Sequence, residues 1–303
     1  MACPTCLRRS ALIATLAPTI ARLQLNHHAL LALLALPNEQ LLHAAKLKDP
    51  RGVSRDDDDP SLPLSLELPN PTRSVPTALC RHDPDYPETL TQLPCAPAVL
   101  YATCTTQRLR ELLARPTIAL LGSRDYSPYA RQITFELARD LARAGVTVLS
   151  DVNEGLEGIA HHGALHTHGS TIAVIACSPD SSPRIRHDHL HQRILAHDAA
   201  ISELPPGFTP HRGCAWPFIA SQRTIAALTN PVVLVEAAGR SCALLTTHIA
   251  TDLGHDVAVV PGRVTDPGGR WLLELLRDGA HPVADAQDVL ELIYGAGVRG
   301  VAA

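Results

Sequence analysis

Three hundred and three residues, 46% hydrophobic and 18% charged, suffice for one large domain or two ordinary ones with a sizeable core, which excludes disorder over most of the chain. No window of 18 apolar residues runs without a charge or a proline, so a membrane span is excluded as well. A net charge of −4 does not advertise a nucleic-acid partner, and since Lys46 and Lys48 are the only lysines, an anion site further along must use arginine forks, backbone amides and helix N-termini.

Residues 1–48 read as a small helical N-terminal domain, with Leu30, Leu31, Leu33, Leu34, Leu41 and Leu42 as helix formers and Pro37-Asn38 dividing two segments. The first twenty residues mimic a signal peptide. They lack a small-residue cleavage site before Asn26 and read better as a core helix of a cytoplasmic protein. The eight cysteines are irregularly spaced and read as reduced thiols. Cys3-Pro-Thr-Cys6 is a lone CxxC; a structural zinc needs four ligands, and His27 and His28 would complete it only if the fold brought them close, so no metal is expected. Residues 49–77, with Asp56 to Asp59 and six prolines, have the composition of a solvated linker.

A large domain follows over 78–295, with a short tail at 296–303. Strands are predicted near 117–121, 146–150, 171–177, 199–203, 231–236, 256–260 and 280–283. Helices are predicted near 128–144, 155–168, 218–229, 241–253 and 286–294. Ser127-Pro128 supplies an N-cap and a proline at the first helical position, and Gly145 a stop. Apolar strands alternating with amphipathic helices predict an α/β, Rossmann-like, doubly wound, mostly parallel sheet, with ligands at the carboxyl ends of the strands.

At that edge, Gly122-Ser123-Arg124 joins the first of these strands to a helix: a tight turn whose free amides and arginine fork suit an anion, although a plain turn would look the same. GxGxxG is absent, so a standard dinucleotide site is not expected, and no cofactor is. Ser150 and Gly155 suit a second phosphate loop, whereas Asp151, Glu154 and Glu157 repel an anion. Ser241 and Thr246, after Glu236, suit capping or anion binding. The clusters His187, His189, His191 and His161, His162, His166, His168 read as solvated or capping, and no nucleophile–base order demands catalysis.

The order of the motifs resembles the DprA/Smf family of DNA-processing proteins. His82-Asp-Pro-Asp-Tyr86-Pro87 with Pro97-Ala-Val-Leu100-Tyr101 is similar to that family's lead into its sheet, and Gly122-Ser-Arg124 with Ser127-Pro-Tyr129 to its first loop. Ser150, Gly155, His161, Ala164 and Leu165 resemble its second loop and helix; Phe218 to Leu228 resembles its FPxRNRIIAGL stretch; Val235-Glu236-Ala237, Arg240-Ser241 and Leu244-Leu-Thr246 resemble its VEA…SGSLIT stretch. Val260-Pro-Gly262 and Arg277-Asp-Gly-Ala280 follow in order. The resemblance implies a protein that is not an enzyme, binds single-stranded DNA, loads a RecA-type recombinase in natural transformation or recombination, and forms a homodimer. It assigns phosphate contact to Gly122, Ser123, Arg124, Ser150, Gly155, Arg223, Arg240, Ser241 and Thr246, and a pocket-organising role to His161, Glu236 and Gly262.

Several positions depart from the family pattern. Asp151 replaces a glycine, Glu154 an arginine, Glu157 an aspartate, Ser221 an arginine and Gln222 an asparagine. Two cations are lost and one becomes an anion, which bears on DNA affinity rather than on the fold. Two alternatives stay open. One is a nucleotide-binding Rossmann-like sensor or phosphoribohydrolase-like protein, although its PGGxGTxxE signature is missing at Pro261-Gly262-Arg263. The other is a degenerate scaffold that keeps only partner surfaces.

Overall fold

Local signals at the helix ends are realised where the sequence puts them. The computed structural model describes residues 2–22, 27–47, 77–152, 155–179, 188–208, 216–237, 242–266 and 268–296. Helices α1 (Pro4–Arg22), α2 (His27–Ala35) and α3 (Asn38–Leu47) come first, with Pro37 dividing α2 from α3. They bury Ala17, Ile20, Leu30, Leu34 and Leu41 in a shared cluster completed by Leu204, Phe208 and Trp216 from the sheet-bearing part of the chain. The linker composition at 49–77 falls, apart from Thr77, outside the described residues.

Next come β1 (Thr77–Cys80), β2 (Val99–Ala102), α4 (Thr106–Leu113), β3 (Thr117–Gly122), α5 (Pro128–Arg143) and β4 (Thr147–Ser150). They are followed by α6 (Leu156–His166), β5 (Thr171–Val174), α7 (Asp188–His197), β6 (Ala199–Ser202), α8 (Trp216–Leu228), β7 (Val232–Glu236) and α9 (Cys242–Asp252). The chain ends through β8 (Val257–Val259), α10 (Gly269–Arg277), β9 (His281–Pro282) and α11 (Ala286–Tyr294). Ser127 caps α5 by accepting the Ala130 N–H at 3.1 Å, and Thr105 caps α4 by accepting that of Arg108 at 3.2 Å.

Among the described residues, nine strands form one sheet in the order β1-β2-β6-β5-β4-β3-β7-β8-β9. The pairs from β6 to β9 are parallel, as the alternation of strands and helices requires. β1 and β2 add an antiparallel edge beside β6 that the sequence reading did not assign as strands. All four residues of β2 are buried, so no two-residue period marked it. Along β3, Ala119 and Leu121 face Leu109, Ile225 and Ile249 on one side. Ile118 and Leu120 face Leu137, Ala160 and Val289 on the other. Where α5 crosses α6, a Cβ at Gly163 would stand 2.6 Å from the Phe135 carbonyl oxygen and 2.7 Å from Ala138 Cβ, so only glycine fits that contact.

β3 pairs with β4 on one side and β7 on the other, and successive strands run outward from it in both directions. This is the topological switch point, where the loops leaving neighbouring carboxyl ends diverge. The β3–β7 register slips between Leu121 and Gly122, opening the pair further at that end.

Candidate nucleic-acid interface

The loop after β3 is held by its neighbours rather than by its own residues. Glu236, at the end of β7, accepts from the Ser127 backbone N–H at 3.2 Å and from Ser127 Oγ at 2.6 Å, which fastens the α5 N-terminus to the switch point. Ser123 is buried, and its carbonyl accepts the Leu156 N–H at 3.2 Å, so the α6 N-terminus already spends one of its free amides there. Gly155 has φ +143°, and a Cβ on it would lie 2.9 Å from both Arg124 Cα and the Ser123 carbonyl. Glycine is required by backbone angle and by the close approach of the two loops.

With its base fixed, the loop exposes Arg124 and Tyr126 (37%), and the first turn of α5 exposes Tyr129 (52%). A depression lies on each side of it. One, of about 920 Å³, is at the switch point and is lined by Ser123, Asp125, Glu236, Gly262, Arg263 and Asp266 among others. The other, of about 440 Å³, is lined by Tyr126, Arg131, Phe135, Gly155, Gly158, Ile159, His162, His166 and Arg193. The first mixes three carboxylates with one arginine; the second carries arginines, histidines and rings. Tyr126, Arg131 and Arg193 were not singled out from the sequence. An exposed aromatic beside an arginine at a strand end is the signal that could have found them.

Three expected phosphate contacts are turned inward. Arg223 is buried: its Nε donates to Glu203 Oε1 at 2.8 Å, its Nη2 to Glu203 Oε2, and its Nη1 to the Cys95 carbonyl at 2.7 Å. Its guanidinium also lies 4.8 Å from the Trp216 ring centroid. All faces of the fork are taken, so it offers nothing to a phosphate. Ser150 Oγ donates to the Leu120 carbonyl at 2.7 Å, and Thr246 Oγ1 to Gln222 Oε1 at 2.6 Å, both in the interior. Arg240, Ser241 and Glu154 lie outside the described residues.

The departures from the family pattern meet one another. Asp151 is buried, and its Oδ2 accepts from Ser221 Oγ at 3.2 Å and from Gln222 Nε2 at 3.3 Å. A carboxylate has entered on β4's end, and the facing helix α8 supplies two neutral donors to hold it. His161 is wholly buried, with Nδ1 2.7 Å from Thr171 Oγ1 and Nε2 3.2 Å from the Asp151 carbonyl oxygen. Burial lowers its pKa to about 4, so it is a neutral wedge that sets the course of the chain after β4.

Burial, reinforced by the Asp151 carboxylate, raises the Glu157 pKa to about 7, against the opposing Gly122 N–H and Arg124. Folding therefore holds a proton that the unfolded chain releases near pH 4.5. Between those values the native state binds more protons than the unfolded one, so stability falls as pH rises from about 4.5 to about 7 and levels off above. Glu157→Gln removes this slope; thermal melts of both proteins from pH 4.5 to 8 should diverge in that window, with the variant gaining relative to wild type. Parallel curves would show that Glu157 titrates normally.

The model of the DNA recombination-mediator protein A family matches residues 77–294. A Mycobacterium tuberculosis (strain CDC 1551 / Oshkosh) relative carrying the DNA processing protein DprA name is 37% identical over 202 residues, 66% of this chain and 51% of its own length. The chain thus spans about half the length of that relative. The X-ray structure of DNA processing protein A from Streptococcus pneumoniae superposes with a TM-score of 0.70 at 25% identity, covering 96% of this chain and 98% of the other. A Helicobacter pylori DNA processing protein A structure, described for its single-stranded DNA binding mode, superposes with a TM-score of 0.62 at 27% identity, covering 72% and 96%.

Proposed function

The chain belongs to the DNA recombination-mediator protein A family, and from that premise we propose that it binds single-stranded DNA without cutting it, delivers the strand to a RecA-type recombinase during DNA uptake and recombination, and works as a homodimer. One observation carries the DNA reading. The groove of Tyr126, Arg131, Phe135, His162, His166 and Arg193 has no carboxylate among its described lining residues and runs beside the exposed Arg124. Arginines there meet phosphates, and Tyr126 offers a face to an unstacked base. A duplex keeps its bases stacked and cannot use that face, so single strands are favoured.

A gel shift with single- and double-stranded oligonucleotides across a salt series tests this. Single strands should bind more tightly, with a slope of log K against log salt of about −2, since Arg124, Arg131 and Arg193 would each release about 0.7 of a counterion. Equal affinity for both forms, or none at low salt, would sink the reading. Displacement by a free mononucleotide would instead favour a small-molecule site in the switch-point cleft.

Assembly is a separate prediction. β9 forms one edge of the sheet with His281 and Pro282 exposed, and Tyr294 of α11 is exposed nearby in sequence. Light scattering at tens of micromolar should give twice the chain mass; a strictly monomeric mass would count against pairing through this C-terminal half.

A further inference from the structure

We propose that Cys3, Cys6, Cys80 and His82 form a structural zinc site that fastens the N-terminal helices to the edge of the sheet. The proposal stands independently of the DNA reading. The sequence offered only the lone Cys3–Cys6 pair, with His27 and His28 as possible completions; their side chains lie outside the described residues. The fold completes the pair from elsewhere. Cys3 precedes α1 and Cys6 sits in its first turn, while Cys80 ends β1 and His82 lies in the turn after it. One ligand atom from each of the four lies within 4.8 Å of all the others.

The spacing fits a tetrahedral ion. His82 Nδ1 is 3.5 Å from Cys3 Sγ, 3.4 Å from Cys6 Sγ and 3.9 Å from Cys80 Sγ. Zinc with bonds of about 2.3 Å to sulfur and about 2.05 Å to nitrogen places each sulfur about 3.5 Å from the nitrogen. A disulfide would join two of the sulfurs and give the third thiol and the imidazole no reason to converge. Three thiolates and one imidazole are soft donors that select zinc over magnesium or calcium, and four protein ligands leave no open position, so the site is structural rather than catalytic.

The surroundings are organised for it. The Cys3 N–H points at Cys80 Sγ at 3.4 Å, and Asp83 Oδ2 accepts the Cys80 N–H at 2.7 Å, fixing the turn that presents His82. Ala2 N–H donates to the Ala78 carbonyl at 3.2 Å, laying the N-terminal backbone on the edge of β1. Cys6 and Cys80 are buried in one cluster with Ala98, Val99 and Tyr101, which keeps water from one side. The ion would cross-link segments more than 70 positions apart in sequence, holding α1 against the antiparallel edge.

Metal analysis of the full chain, purified under reducing conditions, should find about one zinc per chain that survives gel filtration in EDTA. Cobalt added in its place should show the visible bands of a tetrahedral ion and a thiolate-to-cobalt charge-transfer band. The double variant Cys3→Ser/His82→Ala, both outside the buried core, should fold yet retain less than about a tenth of an equivalent. The proposal is overturned if reduced wild-type protein reconstituted with zinc sulfate holds less than about a tenth of an equivalent. It also falls if the double variant keeps as much zinc as wild type, or if mass spectrometry of the unreduced protein finds two of these cysteines joined as a disulfide and no metal.

Discussion

Arg223→Ala lowers the stability of the folded chain by about 3–5 kcal/mol, because it leaves the Glu203 carboxylate buried without its cation. Both side chains are nearly inaccessible, at 3% and 4% exposure, so solvent cannot replace the lost partner. Thr224 Oγ1 still donates to Glu203 Oε1 at 2.7 Å, but one neutral hydroxyl does not balance an ionised carboxylate. The same substitution strips the Cys95 carbonyl of a donor and the Trp216 ring of its cation. Denaturant melts of Arg223→Ala and of the double variant Arg223→Met/Glu203→Leu separate the causes: the double variant should recover much of the loss, since it removes the stranded charge. Single-strand affinity of Arg223→Lys, measured on folded protein, should stay within about twofold of wild type, as an arginine contacting phosphate would not allow. A loss of binding without a loss of stability would return Arg223 to the DNA surface.

The largest effect on binding is expected at Arg124. It is exposed on a loop whose base is clamped by the bond from Ser127 to Glu236 and by the Gly155 contact, so its fork is presented at little cost in ordering. Arg124→Ala should weaken single-strand binding roughly tenfold or more and flatten the salt slope by about one ion. Arg131→Ala and Arg193→Ala should each do the same to a smaller extent, and Tyr126→Ala should lower affinity with the salt slope unchanged, because stacking releases no counterion. Fluorescence anisotropy with a labelled oligonucleotide reads all four. Wild-type affinity in Arg124→Ala, with an unchanged melt, would place the strand elsewhere. Tighter binding with an equal or steeper slope on Asp125→Asn would show that the strand lies instead in the switch-point cleft, whose lining includes Asp125, Glu236 and Asp266.

The parallel strands were legible in the sequence because local chemistry dictates them. Short apolar runs such as Thr117 to Leu121 must be buried on both faces, and Ser127-Pro128 and Gly145 start and stop a helix whatever surrounds them. The place of the candidate site was expected for the same reason: a parallel sheet that winds outward in two directions opens at its carboxyl ends. Which side chains face that opening was not. Arg223 reads in sequence as a cation next to a loop, and only the packing of α8 against β6 puts Glu203 across from it. Asp151 reads as a repulsive intruder until Ser221 and Gln222, some 70 positions away, are seen to donate to it. Cys3 and Cys6 read as half a site until β1 brings Cys80 and His82 to them. By itself the sequence determined the parallel part of the sheet and most of the helices that cover it, through turn residues and hydrophobic period that act over a few positions. The tertiary structure alone decided which polar groups are spent on one another and which are left for a ligand, because a charge is neutralised by whatever lies within a few ångströms, and the order of the chain does not state that distance.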